Sequence, residues 1–259
     1  LRGLIDIQIV PLVSAPTTGA AGAEQRARQR EAHDMGADVV GGCPHFEDEP
    51  AEAIEGFVEL AATRNLLIDL HVDETLDPTV LTLRDYARIV RKYGWENKAT
   101  ASHCVSLTMQ TAELQAVIAD EVATAGISIV VNPQTNLFLQ SRGITTAPPR
   151  GLAPISVLRA AGVNVAGGAD NLQDPFNLVG RGDPLETASL LVTAAHVLPA
   201  EAFDACTSAG RRALGLAPIE VAPGSPADLV ALPASGVREA VALQPDRRIV
   251  VRGGRLIAV

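Results

Sequence analysis

Short apolar runs of strand length alternate along this chain with longer stretches of helical spacing, a rhythm that predicts successive β/α units. The runs Leu4 to Val10, Asp38 to Cys43, Leu66 to Val72, Ala99 to Cys104, Ile127 to Val131 and Val163 to Ala169 are nearly continuous in Val, Ile, Leu and Ala. That texture suits parallel strands, whose crossover helices cover both faces. Between them, Gly22 to Met35, Glu52 to Arg64, Thr82 to Lys92, Leu107 to Ala125, Pro154 to Ala161 and Asp183 to His196 are predicted to be helices. Gly36, Gly94, Gly126 and Gly162 close four of these stretches, where a helix C-cap favours a left-handed residue.

Beyond Ala200 the texture changes. Ala202 to Leu214 reads as one more helix and Pro218 to Ser225 as a turn region. Ala227 to Leu232, Arg248 to Val251 and Arg255 to Val259 are predicted strands, the last two a hairpin turning at Arg-Gly-Gly-Arg. Residues 1–215 are therefore expected to form the main domain and 216–259 a small β segment. Arg142 to Arg150, with Pro148-Pro149, is expected to be a long loop near the mouth.

Composition narrows the partners. The 259 residues are 47% hydrophobic and 20% charged, ordinary for a globular protein, and carry a formal net charge of −9 with no basic run. Nucleic-acid affinity rests on clustered cations, so a small-molecule substrate is expected, with no nucleic acid and no membrane as partner. No apolar stretch reaches the roughly 18 residues of a membrane span. Cys43, Cys104 and Cys206 are odd in number and without CxxC spacing, which fits a reducing cytoplasm and argues against a thiolate metal site.

The chemistry lies at the ends of three of the strands. Leu70-His71-Val72-Asp73-Glu74, Ala101-Ser102-His103 and Gly167-Gly168-Ala169-Asp170-Asn171 each place a metal-type ligand where an apolar run gives way to its loop. In a (β/α)8 barrel that is the C-terminal mouth, where catalytic residues gather. Each residue has a plainer reading: His71 as a satisfied core histidine, Asp170 as a helix N-cap, Glu74 as a solvated carboxylate, and Gln8 as an interior hydrogen bonder. His45, in Cys-Pro-His-Phe-Glu, suits substrate contact or loop anchoring equally well.

With these motifs go Ile5-Asp6-Ile7-Gln8-Ile9-Val10, Gly36-Ala37-Asp38-Val39-Val40, Pro44-His45-Phe46-Glu47, Asn132-Pro133, Asn136-Leu137-Phe138-Leu139-Gln140, Asp174-Pro175 and a closing Ala-Asp-Leu-Val. Together they resemble the bacterial cytosine deaminase branch of the amidohydrolase superfamily. The resemblance implies an α/β fold, a (β/α)8 TIM-type barrel of the metal-dependent hydrolase kind. It implies one divalent metal ion, iron or zinc, a heterocyclic substrate such as cytosine, and a homo-oligomer. It makes His71 and Asp170 metal ligands, and Glu74, His103 and Asp170 catalytic. Glu74 becomes the proton shuttle, and His103 the residue that polarises the attacked centre or bound hydroxide. Gln8 and Asn171 become substrate-binding residues. Asn171 stands where the cytosine enzymes usually carry a second Asp, which widens the expected range to other amino-substituted rings.

The family's first-strand HxH pair has no counterpart among His33, His45, His71, His103 and His196. By the resemblance Leu1 falls in the third barrel strand, so a C-terminal portion lacking the first two strands is expected, with two open sheet edges. The alternatives are another amidohydrolase, acting on a cyclic amide, triazine, pterin or creatinine, or a catalytically silent remnant.

Overall fold

In the computed structural model, which describes residues 3–247 and 249–258, five strands form one parallel sheet in chain order. They are β1 (Val39–Gly42), β2 (Leu67–Val72), β3 (Ala99–His103), β4 (Ser128–Val131) and β5 (Val165–Gly167). The register sets Gly41 opposite Asp69, His71 opposite Ser102, Ser102 opposite Val130 and Val131 opposite Gly167. The β/α alternation expected from the apolar runs is thus realised as an arc of barrel sheet.

Helices α1 (Ala23–Asp34), α2 (Pro50–Arg64), α3 (Thr82–Lys92), α4 (Ala112–Thr124), α5 (Pro133–Leu139) and α6 (Ile155–Ala160) precede or link the strands. Then α7 (Pro184–Ala195), α8 (Pro199–Ala205) and α9 (Ser208–Ala213) follow β5. Gly36, Gly94, Gly126 and Gly162 take positive φ after α1, α3, α4 and α6, as the capping pattern predicts. The core lies between sheet and helices, where Ile68, Leu70, Ile54, Phe57, Val58, Tyr86, Val90, Ile118 and Val122 are buried together. Each such side chain contributes roughly 1.5–3 kcal/mol of burial. Gly42 admits the Phe57 ring against the β1 backbone, since a Cβ there would sit 2.4 Å from that ring.

A second sheet, antiparallel, is built from β6 (Leu229–Ala231), β7 (Ile249–Arg252) and β8 (Arg255–Ala258), with β7 and β8 joined through Gly253-Gly254. Arg248 and Val259, at the ends of two of the expected strands, lie outside the described residues. Between β6 and β7, helix α10 (Val237–Leu243) packs on α7 and α8, and its Val241 joins the main core. No helix among the described residues is long and apolar enough to cross a membrane.

Three expectations need correction. Leu4 to Val10 is not a ladder strand. Ile9 O accepts from the amides of Asp38 and Val39, but the Asp38 carboxylate takes the Ile9 N–H at 2.8 Å, where a strand partner's carbonyl would sit. Leu4, Ile5, Ile7 and Ile9 stay more than half exposed. The helix expected over Leu107 to Ala125 is a 3₁₀ turn, Val105–Met109, followed by α4, which Thr111 caps by accepting from Leu114 N. The helix expected over Ala202 to Leu214 is two helices, α8 and α9, broken at Thr207, whose φ of −126° and ψ of −90° leave the helical region.

Candidate functional site

His71 lies near the end of β2, His103 ends β3, and Asp170 follows β5 by three residues. Parallel strands in register bring these ends to one mouth. His103 Nε2 lies 3.0 Å from His71 Nδ1 and 3.4 Å from Asp170 Oδ2, while its Nδ1 lies 3.4 Å from Glu74 Oε1. Ligand-type atoms of His71, Glu74 and His103 all fall within 4.8 Å of one another. Four residues read from three separate strand ends therefore meet at one point.

The backbone there is held in costly conformations. Asp73, His103, Cys104, Asp170 and Asn171 all have positive φ, at 52°, 73°, 50°, 30° and 71°. A left-handed residue other than glycine costs roughly 1–2 kcal/mol. At His103 the left-handed turn ends the strand just as the ring enters the mouth. Clustering of such residues is characteristic of functional sites, where the surrounding structure enforces them.

Buried polar groups supply that enforcement. Asp73 is 1% exposed. Its Oδ1 accepts from Thr82 N at 2.9 Å and from the Thr82 hydroxyl, and its Oδ2 accepts from Leu83 N at 3.1 Å, so it satisfies the first free amides of α3. Its carbonyl accepts from Val105 N and Ser106 N, just beyond His103. Asp73 thus ties the His71–Glu74 segment both to α3 and to the turn that follows β3. On the other side, α5 presents Asn136, 0% exposed, to His103 and Glu74. The Thr135 hydroxyl donates to Asp170 O, and Gln140 Nε2 donates to Glu74 O at 3.3 Å. Below His71 on the same face of β2, Asp69 Oδ1 accepts from Ser102 Oγ at 3.2 Å.

Burial sets the protonation states. It raises the Glu74 carboxyl to about 7, helped by the charge of Asp170 and opposed by the Asn136 hydrogen bond. Burial, then Asp174, raises Asp170 to about 6. His71 is lowered to about 4 by burial and by His45, and His103 to about 3 by burial and by His71. Both imidazoles are neutral at pH 7, the form in which histidine ligates metals. Cys104 is buried with its thiol pushed well up, a packing residue as its sequence context suggests.

Two residues read as substrate-binding are placed differently from the rest. Gln8 donates its side-chain amide to Leu214 O at 3.1 Å. Leu214 adjoins Gly215, which lies against Leu67 at the start of β2, so Gln8 is at the opposite end of that strand from the cluster. Asn171 is at the mouth but engaged in its own loop: its Oδ1 accepts from Thr135 Oγ1 at 3.2 Å and its Nδ2 donates to Asp174 Oδ2 at 2.6 Å. His45 Nδ1 lies 3.1 Å from His71 O, the geometry of an anchor. Sequence reading assigned no task to Asn136 or Asp73, although both lie inside motifs it singled out. Asp73 follows the apolar run of β2, whereas Asn136 lies within α5 between Thr135 and exposed Leu137 and carried no such signal.

Two neutral imidazoles and two carboxylates within a few ångströms suit a borderline divalent ion such as iron or zinc. In the tautomers that leave them bare, His103 Nε2 and His71 Nδ1 would offer lone pairs beside Asp170 Oδ2.

Known proteins are similar to this chain in sequence and fold. A "Pterin deaminase" of Rhizobium rhizogenes is 38% identical over 227 residues, which is 85% of this chain and 51% of the relative. The crystal structure of 5-methylcytosine deaminase from Klebsiella pneumoniae liganded with phosphonocytosine superposes with a TM-score of 0.90 at 30% identity, over 98% of this chain and 63% of that one. N-isopropylammelide isopropylaminohydrolase from Burkholderia multivorans gives 0.83 at 26% identity, over 99% and 64%. The chain thus spans about half the length of the first relative and under two thirds of each solved chain. The amidohydrolase family profile matches residues 13–258, strand ends and small sheet included, and this chain belongs to the amidohydrolase family.

Proposed function

We propose that the protein carrying this chain is a metal-dependent hydrolytic deaminase of an amino-substituted heterocycle, releasing ammonia. The observation that carries the reading is the convergence of His71, His103, Asp170 and Glu74, with the Glu74 carboxyl held near 7. His71 and Asp170 would hold a divalent ion, iron or zinc. When bound there, such an ion lowers the pKa of water to around 7 and so supplies a nucleophile at neutral pH.

Glu74 moves the protons. As a carboxylate it takes one from the attacking water and delivers it to the ring nitrogen beside the attacked carbon. A further proton transfer through the same oxygen lets the exocyclic amine leave as ammonia while the carbon becomes a carbonyl. One group can do both because its pKa lies close to the working pH. His103, fixed against Asn136 and Asp170, orients the attacked centre. Asp170 both ligates and can accept a proton, since its carboxyl is raised to about 6.

Among rings, we place pterin ahead of cytosine. Support comes from the 38% identity to a protein named pterin deaminase, against 30% to the 5-methylcytosine enzyme. The amide of Asn171, tied to Asp174, also supplies no second free carboxylate for cytosine. Ammonia release from pterin, cytosine and adenine nucleosides by the intact, metal-loaded protein tests the reading. Release from pterin is expected; ring opening without ammonia would overturn deamination, and a strict preference for cytosine would overturn the order of substrates.

A further inference from the structure

We propose that Glu47 is a positioning residue: through Thr17 it fixes the segment from Val10 to Thr17 as one wall of the mouth, and so sets how tightly substrate is bound. The argument starts from the partners of a buried carboxylate. Glu47 is 7% exposed. Its Oε1 accepts from Thr17 N at 2.8 Å and from the Thr17 hydroxyl at 2.7 Å, and its Oε2 shares the same amide at 2.9 Å. A carboxylate is tolerated in such a place where hydrogen bonds replace its water, and these come from a single residue 30 positions earlier.

Thr17 is closed in on its other sides as well. Its carbonyl accepts from Arg26 Nη1. Gly22, at the start of α1, packs so closely that a Cβ there would sit 2.2 Å from Thr17 C. Amide, hydroxyl and carbonyl are thus all engaged, within a connection of the kind that is ordinarily mobile.

The other end of the segment is set on the sheet. Ile9 O accepts from Asp38 N and Val39 N. Farther along, a Cβ on Gly41 would meet Val10 Cγ1 at 2.7 Å and Leu12 Cδ2 at 2.8 Å, so the segment runs beside β1 in the same direction. Gly41 pairs with Asp69, which alternation puts on the same face of β2 as His71. Val10 and Leu12 lie on that face, and residues 13–16 continue past the end of β1 toward the level of His71. Leu12, Ser14, Ala15 and Pro16 are exposed there.

One turn joins this wall to the cluster. In the 3₁₀ turn Pro44–Phe46, His45 Nδ1 lies 3.1 Å from His71 O, and Glu47, which ends the turn, reaches Thr17. The turn is a short bracket between the 10–17 segment and the strand that carries His71. Releasing the segment alters the shape of the mouth and leaves Glu74 in place, so the effect belongs in KM. That consequence rests on the proposed deamination; the fixing of the segment does not.

The test pairs amide hydrogen exchange, read by mass spectrometry of fragments covering residues 10–19, with the kinetics of ammonia release by the intact, metal-loaded protein. In Glu47→Ala, exchange at Thr17 is expected to quicken about 10- to 100-fold, as loss of hydrogen bonds to a charged group allows, with α2 and β2 unchanged. KM for the ring it deaminates is expected to rise about 3- to 10-fold, the worth of one ordinary hydrogen bond, with kcat and metal content unaltered. Glu47→Gln, which keeps one acceptor oxygen, is expected to fall between wild type and Glu47→Ala in both readouts. A residue serving stability alone would lower the folded fraction, and with it the apparent kcat, and spare KM. Unchanged exchange at Thr17 in Glu47→Ala overturns the proposal, and so does an unchanged KM beside faster exchange. Should Glu47→Ala not fold, Thr17→Val and Thr17→Ser decide: the first is expected to raise KM and the second to keep it, and equal KM values overturn the proposal. Absence of ammonia release from every heterocycle would sink the deaminase reading, and exchange at Thr17 would then decide alone whether Glu47 fixes the segment.

Discussion

The two ends of β2 and β3 are built on opposite principles. At their start, neutral groups far apart in sequence meet: Gly215 lies against Leu67, Thr100 Oγ1 donates to Ala213 O at 3.2 Å, Trp95 Nε1 donates to Leu66 O at 3.0 Å, and Gln8 donates to Leu214 O. At their end the same strands run into left-handed Asp73 and His103, two neutral imidazoles and carboxyls raised by burial. The start of the sheet contributes stability. The end holds groups in states that water would not allow, and Asp73, Asn136 and Thr135 offset that cost with hydrogen bonds. Barrel enzymes divide their labour in this way between the two ends of their strands.

Variants at the mouth should therefore cost activity and those at the base should not. The largest effect is expected for Glu74→Gln, which keeps shape and removes the proton carrier: ammonia release falls about 10²- to 10⁴-fold while metal content, read by elemental analysis, is unchanged. Turnover near wild type with metal bound would reject the shuttle. His71→Ala should lower metal content itself, and an unaltered metal stoichiometry would remove His71 from the ligand set.

Acidity comes next. Because Glu74 must begin as a carboxylate and its pKa is raised to about 7, kcat/KM should fall about tenfold per unit as pH drops below that value. A flat profile from pH 5 to 8 would mean that Glu74 does not limit the reaction. Asp73→Ala strips the α3 amides of their acceptor and should lower unfolding free energy by about 1–3 kcal/mol, read from denaturant midpoints. The smallest effect is expected at the base, where Gln8→Ala should change stability by at most about 0.5 kcal/mol and leave KM unaltered. A raised KM there would return Gln8 to the substrate site.

Much of this division was legible in the sequence. Thr82–Lys92 is a helix over the range its spacing predicts, because its apolar positions, its basic last turn and Gly94 agree. The ends of the Leu66–Val72, Ala99–Cys104 and Val163–Ala169 runs were read as one mouth, and the structure brings His71, Glu74, His103 and Asp170 together there. Gln8 lies away from the cluster because an alternating apolar run specifies a face but not a partner: Asp38 takes the Ile9 amide, and the Gln8 amide donates to Leu214 O. Helix α5 was invisible to periodicity, since it is only about two turns long and its buried positions include Gln134, Thr135 and Asn136. A polar helix buried for its hydrogen bonds carries no apolar stripe to read. The tie between Asn171 and Asp174 is likewise a loop geometry that residue type alone does not reveal.

The central claim is that Glu74 carries protons for a deamination at this cluster. Ammonia release from pterin by the intact, metal-loaded protein, measured beside its Glu74→Gln variant, tests it most directly. The account predicts release by the first and loss of most turnover in the second with metal retained; equal release by both would contradict it.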